Sequence, residues 1–142
     1  MKLIKWLAVV ALAVAIAAGV SVYQRTQNPG LSDEQAVEIR AVAWLQAVIA
    51  KDWAATYQFT SSGYRSGVSQ LDHERTMSMR RVSWLGGELV DTSCEEDACQ
   101  VDVRIVYKVI RPMRSVPEFE SFQSLTRTWL KQDGEWWLTS SE

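Results

Sequence analysis

Three hydrophobic patterns follow one another along the chain. The first is continuous: from Trp6 to Tyr23 there is no charged side chain, and Ser21 is the only hydroxylic one before Tyr23. As a helix, such a run reaches roughly 27 Å, close to a hydrocarbon core of about 30 Å. Lys2 and Lys5 precede it; Arg25, and then Asp33 and Glu34, follow it. The positive-inside rule keeps that N-terminus in the cytoplasm of a bacterial cell and carries the remainder across the inner membrane, with Trp6 and Tyr23 at the two interfaces. The pattern predicts a transmembrane anchor over 1–25, a polar linker over 26–31 in which Pro29 and Gly30 break any continuous helix, and a periplasmic domain over 32–142. A cleaved signal peptide ending near the "AIA" at 15–17 is the alternative. Either reading exports the domain.

The second pattern has helical period. "SDEQ" at 32–35 places Ser32 at an N-cap and Gln35 where a capping box needs it, with Asp33 and Glu34 suited to the helix dipole. Val37, Ala41, Trp44, Leu45 and Val48 then form one apolar stripe, predicting a helix over about 33–50. Asp52 is placed to cap a short second helix bearing Trp53 and Tyr57 on one face, which "SSG" is expected to end. Ser69 and Asp72 open a weaker third helix near 70–80, whose apolar pattern is poor.

The third pattern has period two. In "CQVDVRIVYKVI", Val101, Val103, Ile105, Tyr107 and Val109 alternate with Asp102, Arg104, Val106, Lys108 and Ile110, which is a strand with one drier face. "VSWLGGELVDTSC" before it is also strand-like, with Gly86 and Gly87 marking a bulge or bend. "RPMRSVPEFE" reads as a loop, and "SFQSLTRTWLK" and "EWWLTSS" read as two strands around the turn "QDG". Helices first and an antiparallel meander afterwards make the domain α+β, with about three helices gathered on one face of a sheet of about four or more strands.

The only two cysteines, Cys94 and Cys99, stand at facing ends of the first two strands, across "EEDA". The spacing is longer than the redox C-x-x-C motif. One distant histidine, His73, does not complete a four-ligand zinc set, so no metal or cofactor is expected. Opposed strand residues lie close enough for a disulfide, and export to an oxidising compartment permits one; two free thiols at a hairpin tip are the other possibility. Charge is nearly balanced over the 142 residues, at −2, which argues against nucleic acid as a partner. With Lys2, Lys5 and Arg25 set apart, 12 basic residues face 17 acidic ones, so the domain is not drawn to anionic lipid.

A long first helix, the short helix with "KDWAATYQF", a third helix and a closing meander ending "TWLKQDGEWWL" resemble the nuclear transport factor 2-like superfamily. Ketosteroid isomerase and the SnoaL-like proteins belong to that group. The resemblance covers about 32–142. It implies a cone, in which a bent sheet wraps the first helix and leaves a pocket lined by Trp44, Trp53, Tyr57 and inward strand residues, Asp102 being the candidate pocket carboxylate. Enzymes of the group need a carboxylate or histidine in the cone, with a tyrosine or second acid for an oxyanion. No position here matches such a catalytic motif, so no catalytic residue is carried over. Asp52 is better explained as a helix cap, and His73, in the polar stretch "LDHERT", as a solvated helix residue.

Seven tryptophans remain to be placed. Trp136 and Trp137 are adjacent on a strand and face opposite ways, so one of them is either covered by Arg or Lys stems or free to contact a partner. Arg111, Met113 and Arg114 form a candidate contact loop for an acidic partner. One membrane span followed by a domain of this fold is similar in plan to scaffold subunits of some bacterial secretion systems. The expectation is therefore a membrane-anchored, non-catalytic domain that binds a protein partner or helps assemble an envelope complex, with self-association through the outer sheet face the next possibility. The alternative is a periplasmic binder of a small apolar ligand, or an isomerase- or hydrolase-type enzyme using the cone.

Overall fold

The stripe at Val37, Ala41, Trp44, Leu45 and Val48 forms the buried face of α1 (Asp33–Ile49). The computed structural model describes residues 30–110 and 114–140. The expected anchor at 1–25, and Arg111 and Met113 of the contact loop, lie outside the described residues. Among the described residues no helix is long and apolar enough to cross a membrane.

Local chemistry accounts for both ends of α1. The Ser32 Oγ accepts from the Gln35 backbone N–H at 3.2 Å, and the Gln35 side chain accepts from the Ser32 backbone N–H at 3.0 Å, completing the expected capping box. At the other end Lys51 takes a left-handed backbone with φ of 57°. Its N–H donates to the Val48 carbonyl, and the Asp52 N–H donates to that of Ala47, a Schellman closure built on lysine where glycine is usual. Asp52 then caps α2 (Trp53–Gln58), as expected, by accepting from the Ala55 N–H at 3.0 Å.

The helix count departs from expectation. "SSG" does not end the helical region; Ser61 caps a further short helix, α3 (Ser62–Gly67), by accepting from the Tyr64 N–H. α2 has already closed at Gln58, with Phe59 as its C-cap, so the serine starts a helix here, and the spacing alone does not distinguish a starting signal from a stopping one. α4 (Gln70–Ser78) follows, capped by Ser69.

The sheet is a four-stranded antiparallel meander, β1 (Val82–Glu95), β2 (Ala98–Val109), β3 (Phe119–Gln132) and β4 (Glu135–Leu138), in that order across the sheet. β1 and β2 run to within two residues of each other, so the connection is Glu96–Asp97 and not four residues long, with Glu96 at φ of 52°. The second tight turn, Asp133–Gly134, holds both residues at positive φ (53° and 79°), the backbone a two-residue hairpin favours. Cys94 and Cys99 pair directly across the first hairpin and form a disulfide with 4.1 Å between Cα atoms.

β1 carries two bulges. Leu85 is extra between Trp84 and Gly86, and Val90 is extra between Leu89 and Asp91. Each extra residue reverses the alternation. Trp84, Gly87, Leu89, Thr92 and Cys94 therefore all pair with residues of the inner face of β2, although their numbering does not keep one parity. That inner face, Cys99, Val101, Val103 and Ile105, is buried with the α1 stripe, Trp129, Trp136 and Leu138 in one core. The free edge of β4 is covered: the Leu138 N–H donates to the Phe59 carbonyl at 2.8 Å, and the Ser61 N–H donates to the Leu138 carbonyl at 2.7 Å.

α1 and β1 approach closely at Gly87. A Cβ there would stand 3.2 Å from the Arg104 carbonyl oxygen and 3.2 Å from both Leu45 methyls, whereas one at Gly86 meets nothing within 4 Å. Gly87→Val is therefore expected to lower stability by about 1–3 kcal/mol through overpacking, while Gly86→Val leaves it unchanged or raises it. Urea unfolding of the two variants beside the parent checks this; equal midpoints would show that the helix yields freely at this point.

Candidate functional site

Three arrangements of side chains are candidates for function: a cavity at the end of α1, a polar cluster among the short helices, and the outer face of the sheet.

The cavity has a volume of about 540 Å³ and is walled by Trp44 and Val48 of α1, Trp53 of α2, Met77 of α4, Trp84 of β1 and Leu125 of β3. The indole of Trp44 meets that of Trp84 edge-on, at 5.7 Å and 89°. Lys51, Arg80, Arg81 and Arg127 also line the cavity, and the Arg127 guanidinium stands over the Trp44 ring at 5.8 Å. Two of the four expected pocket residues, Trp44 and Trp53, are here. Tyr57 and Asp102 are not. Tyr57 is buried among the short helices, where its hydroxyl donates to the Val68 carbonyl at 2.8 Å. Asp102 sits across from Asp91 on the outer side of β2 and accepts from the Thr126 hydroxyl. It follows the strand alternation away from the helices, because Val101 and Val103 on either side of it point inward.

His73 was expected in solvent and is instead 1 % exposed. The rings of Tyr57 and Tyr64 close around it, with centroids at 5.4 and 5.8 Å. Nε2 lies 2.9 Å from the Thr56 hydroxyl, and Nδ1 lies 3.0 Å from the Tyr64 hydroxyl. The Thr56 hydroxyl donates its proton to the Trp53 carbonyl at 2.8 Å. It can therefore only accept from the imidazole, so the proton is on Nε2, and Nδ1 accepts from Tyr64. This chain of bonds ties α2, α3 and α4 together and leaves neither imidazole nitrogen free for proton transfer. The polar sequence around His73 concealed this, since the residue is buried by hydrogen bonding and not by an apolar stripe.

The paired tryptophans divide as alternation requires. Trp136 is in the core. Two guanidinium groups, Arg40 and Arg65, stand over Trp137, each 4.9 Å from its ring. Arg40 also donates from Nε to the Trp136 carbonyl at 2.9 Å. Of the two alternatives for the outward ring, Arg stems stand over Trp137, which stays partly exposed. Arg114 is exposed.

The exposed aromatic is elsewhere. Phe122 of β3 is 73 % exposed and pairs directly with Val106 of β2, itself 43 % exposed, on the outer face of the sheet. Phe119 and Val116 are exposed nearby in sequence. Val106 among the polar positions of its strand was the readable sign of this patch. The cations of the cavity gave no such sign, because Lys51, Arg80, Arg81 and Arg127 are brought together only by the fold.

No known family model matches the chain, and no curated protein does. Solved structures do. The chain is similar to a SEC-C motif containing protein from Psychrobacter arcticus, with a TM-score of 0.56, 12 % identity, and 83 % of this chain and 66 % of that one covered. It is similar to a protein of the nuclear transport factor 2-like family from Streptomyces avermitilis, with a TM-score of 0.54, 13 % identity, and 75 % and 91 % covered. A SEC-C motif containing protein from Rhodopseudomonas palustris matches with a TM-score of 0.50, 16 % identity, and 78 % and 77 % covered. At such identities the likeness is one of fold.

Burial, with the charge of Arg80, holds the His73 pKa below its ordinary 6.5, Glu74 opposing. The native state thus prefers the neutral ring, and the unfolded chain takes up the proton first as pH falls. The stability this group contributes is complete above about pH 6.5 and is lost on acidification through the native pKa. Unfolding midpoints measured between pH 8 and pH 5 are expected to fall below about pH 6.5. His73→Gln should lower stability at pH 8 by about 1–3 kcal/mol and flatten the profile; an unchanged profile in the variant would assign the effect to other groups.

Proposed function

We propose that the chain is a non-catalytic binding domain of nuclear transport factor 2-like architecture, exported and held at the inner membrane by residues 1–25, that associates with a second copy of itself through the outer face of its sheet. The observation that carries this reading is the Phe122–Val106 pair. An aromatic so fully exposed, opposite an exposed valine and on the stretch of β3 beyond its pairing with β4, is an apolar patch on a face otherwise bearing Asp102, Arg104 and Glu88. Apolar centres with polar rims are the usual anatomy of protein contacts. The Arg104–Glu88 pair at 3.2 Å and the Lys108–Glu118 pair at 2.6 Å contribute such a rim. The engaged imidazole of His73 and the outward position of Asp102 support a role other than catalysis.

Export is supported by the apolar run at 6–23 and by the Cys94–Cys99 bond, since disulfides persist in oxidising compartments. A second reading, that the domain holds a small apolar molecule, is favoured by the cavity walled by Trp44, Trp53 and Trp84.

With a photo-reactive phenylalanine analogue incorporated at Phe122, irradiation of membranes containing the full chain is expected to give an adduct of twice the chain mass, and the same analogue at Ser66 should give none. Silence at both positions would remove the sheet face as a contact. Thiols trapped in whole cells by acid quenching and alkylated under denaturing conditions should be unreactive until reduced. Alkylation of both cysteines without reduction would place the domain in a reducing compartment and end the export reading.

A further inference from the structure

The cavity is also a cluster of positive charge. Lys51, Arg80, Arg81 and Arg127 all line it, and among its described lining residues there is no aspartate or glutamate. This occurs in a domain where acidic residues outnumber basic ones, so the local sign is opposite to that of the whole. Three of the four follow the ends of helices: Lys51 stands two residues beyond Ile49 of α1, and Arg80 and Arg81 just beyond Ser78 of α4. Carbonyl groups at such ends stabilise cations placed there. Arg127 arrives from the sheet, over the face of Trp44. The fold thus converges two helix ends and one strand on a concave site whose walls are indole rings and whose charges share one sign, an arrangement that concentrates anions.

We propose that this cavity binds an aromatic organic acid, its ring against Trp44, Trp53 and Trp84 and its carboxylate held by Lys51 and the arginines. The inference rests on the reading that the cavity holds a small molecule and is independent of association through the sheet face. Tryptophan walls favour a flat apolar body through edge and face contacts, and guanidinium groups pair with carboxylates in a fixed, directional way. A volume of about 540 Å³ lies within the range of small-molecule sites and accommodates such a molecule.

The test uses two probes of nearly equal shape, 2-naphthoate and 2-naphthamide, which differ in charge at pH 7. Each is titrated by calorimetry into the full-length chain in lipid nanodiscs, with empty nanodiscs as the blank. The acid is expected to bind at least about tenfold more tightly than the amide at low salt, with the difference shrinking at high salt. The double variant Lys51→Gln, Arg81→Gln should bring the two affinities within about threefold while leaving the amide unchanged. Trp53→Leu should weaken both probes together. Equal binding of acid and amide by the parent, lost in Trp53→Leu, would keep a small-molecule site and overturn the anionic ligand. Absence of Trp53-dependent binding of either probe would overturn the site itself. Thermal unfolding of each variant at the parent's midpoint excludes loss of fold as the cause.

Discussion

The side chain on which most of this domain depends is Trp44. Its indole meets Trp84 at 5.7 Å and Trp129 at 6.3 Å, both edge-on. Such pairs contribute about 0.5–1.5 kcal/mol each beyond the area they bury. Together they fix the rotation of α1 against the sheet, since β1 supplies one partner and β3 the other. The same ring is almost wholly buried and yet forms part of the cavity wall. Core and candidate ligand site therefore share one residue, and the cavity is as rigid as the core behind it. The close passage at Gly87 follows from the same placement: with Trp44 seated, Leu45 lies against β1 where an added side chain would crowd its methyls.

A different kind of interaction holds the short helices. α2, α3 and α4 offer few apolar residues, and what joins them is the sequence of bonds from Tyr64 through His73 and Thr56 to the Trp53 carbonyl. Buried polar networks of this kind are stabilising only when each member is satisfied, and here each is. Because the network ends at Trp53, it also positions one wall of the cavity. The imidazole that a search for catalytic residues would single out is thus a structural joint for the site, while the acids such a search would choose point elsewhere.

Arginine has two contrasting uses on this surface. Arg40 and Arg65 both stand over the Trp137 ring, where their cations shield an edge strand. Arg80, Arg81 and Arg127 line a concavity. On the outer sheet face Phe122 and Val106 remain exposed. The protein therefore presents a cationic, indole-lined hollow and an apolar patch on opposite sides of one sheet, and occupation of one does not require the other to be vacant.

What the sequence by itself determined is whatever depends on neighbours a few residues apart. The capping box of α1, its buried stripe, the Asp52 cap, the alternation of β2, the Asp133–Gly134 turn and the pairing of Cys94 with Cys99 were all legible, because backbone hydrogen bonding and side-chain periodicity act over one turn or one hairpin. The failures have the same cause in reverse. Two bulges shift the alternation of β1, so its inner face is not evident until β2 is laid beside it. His73 reads as wet because its partners come from two other helices. Trp137 is covered by Arg40, ninety-seven positions away, and four cations meet at a hollow from three separate elements. Those placements are decided by how packed elements converge, since contact between distant residues carries no local pattern along the chain.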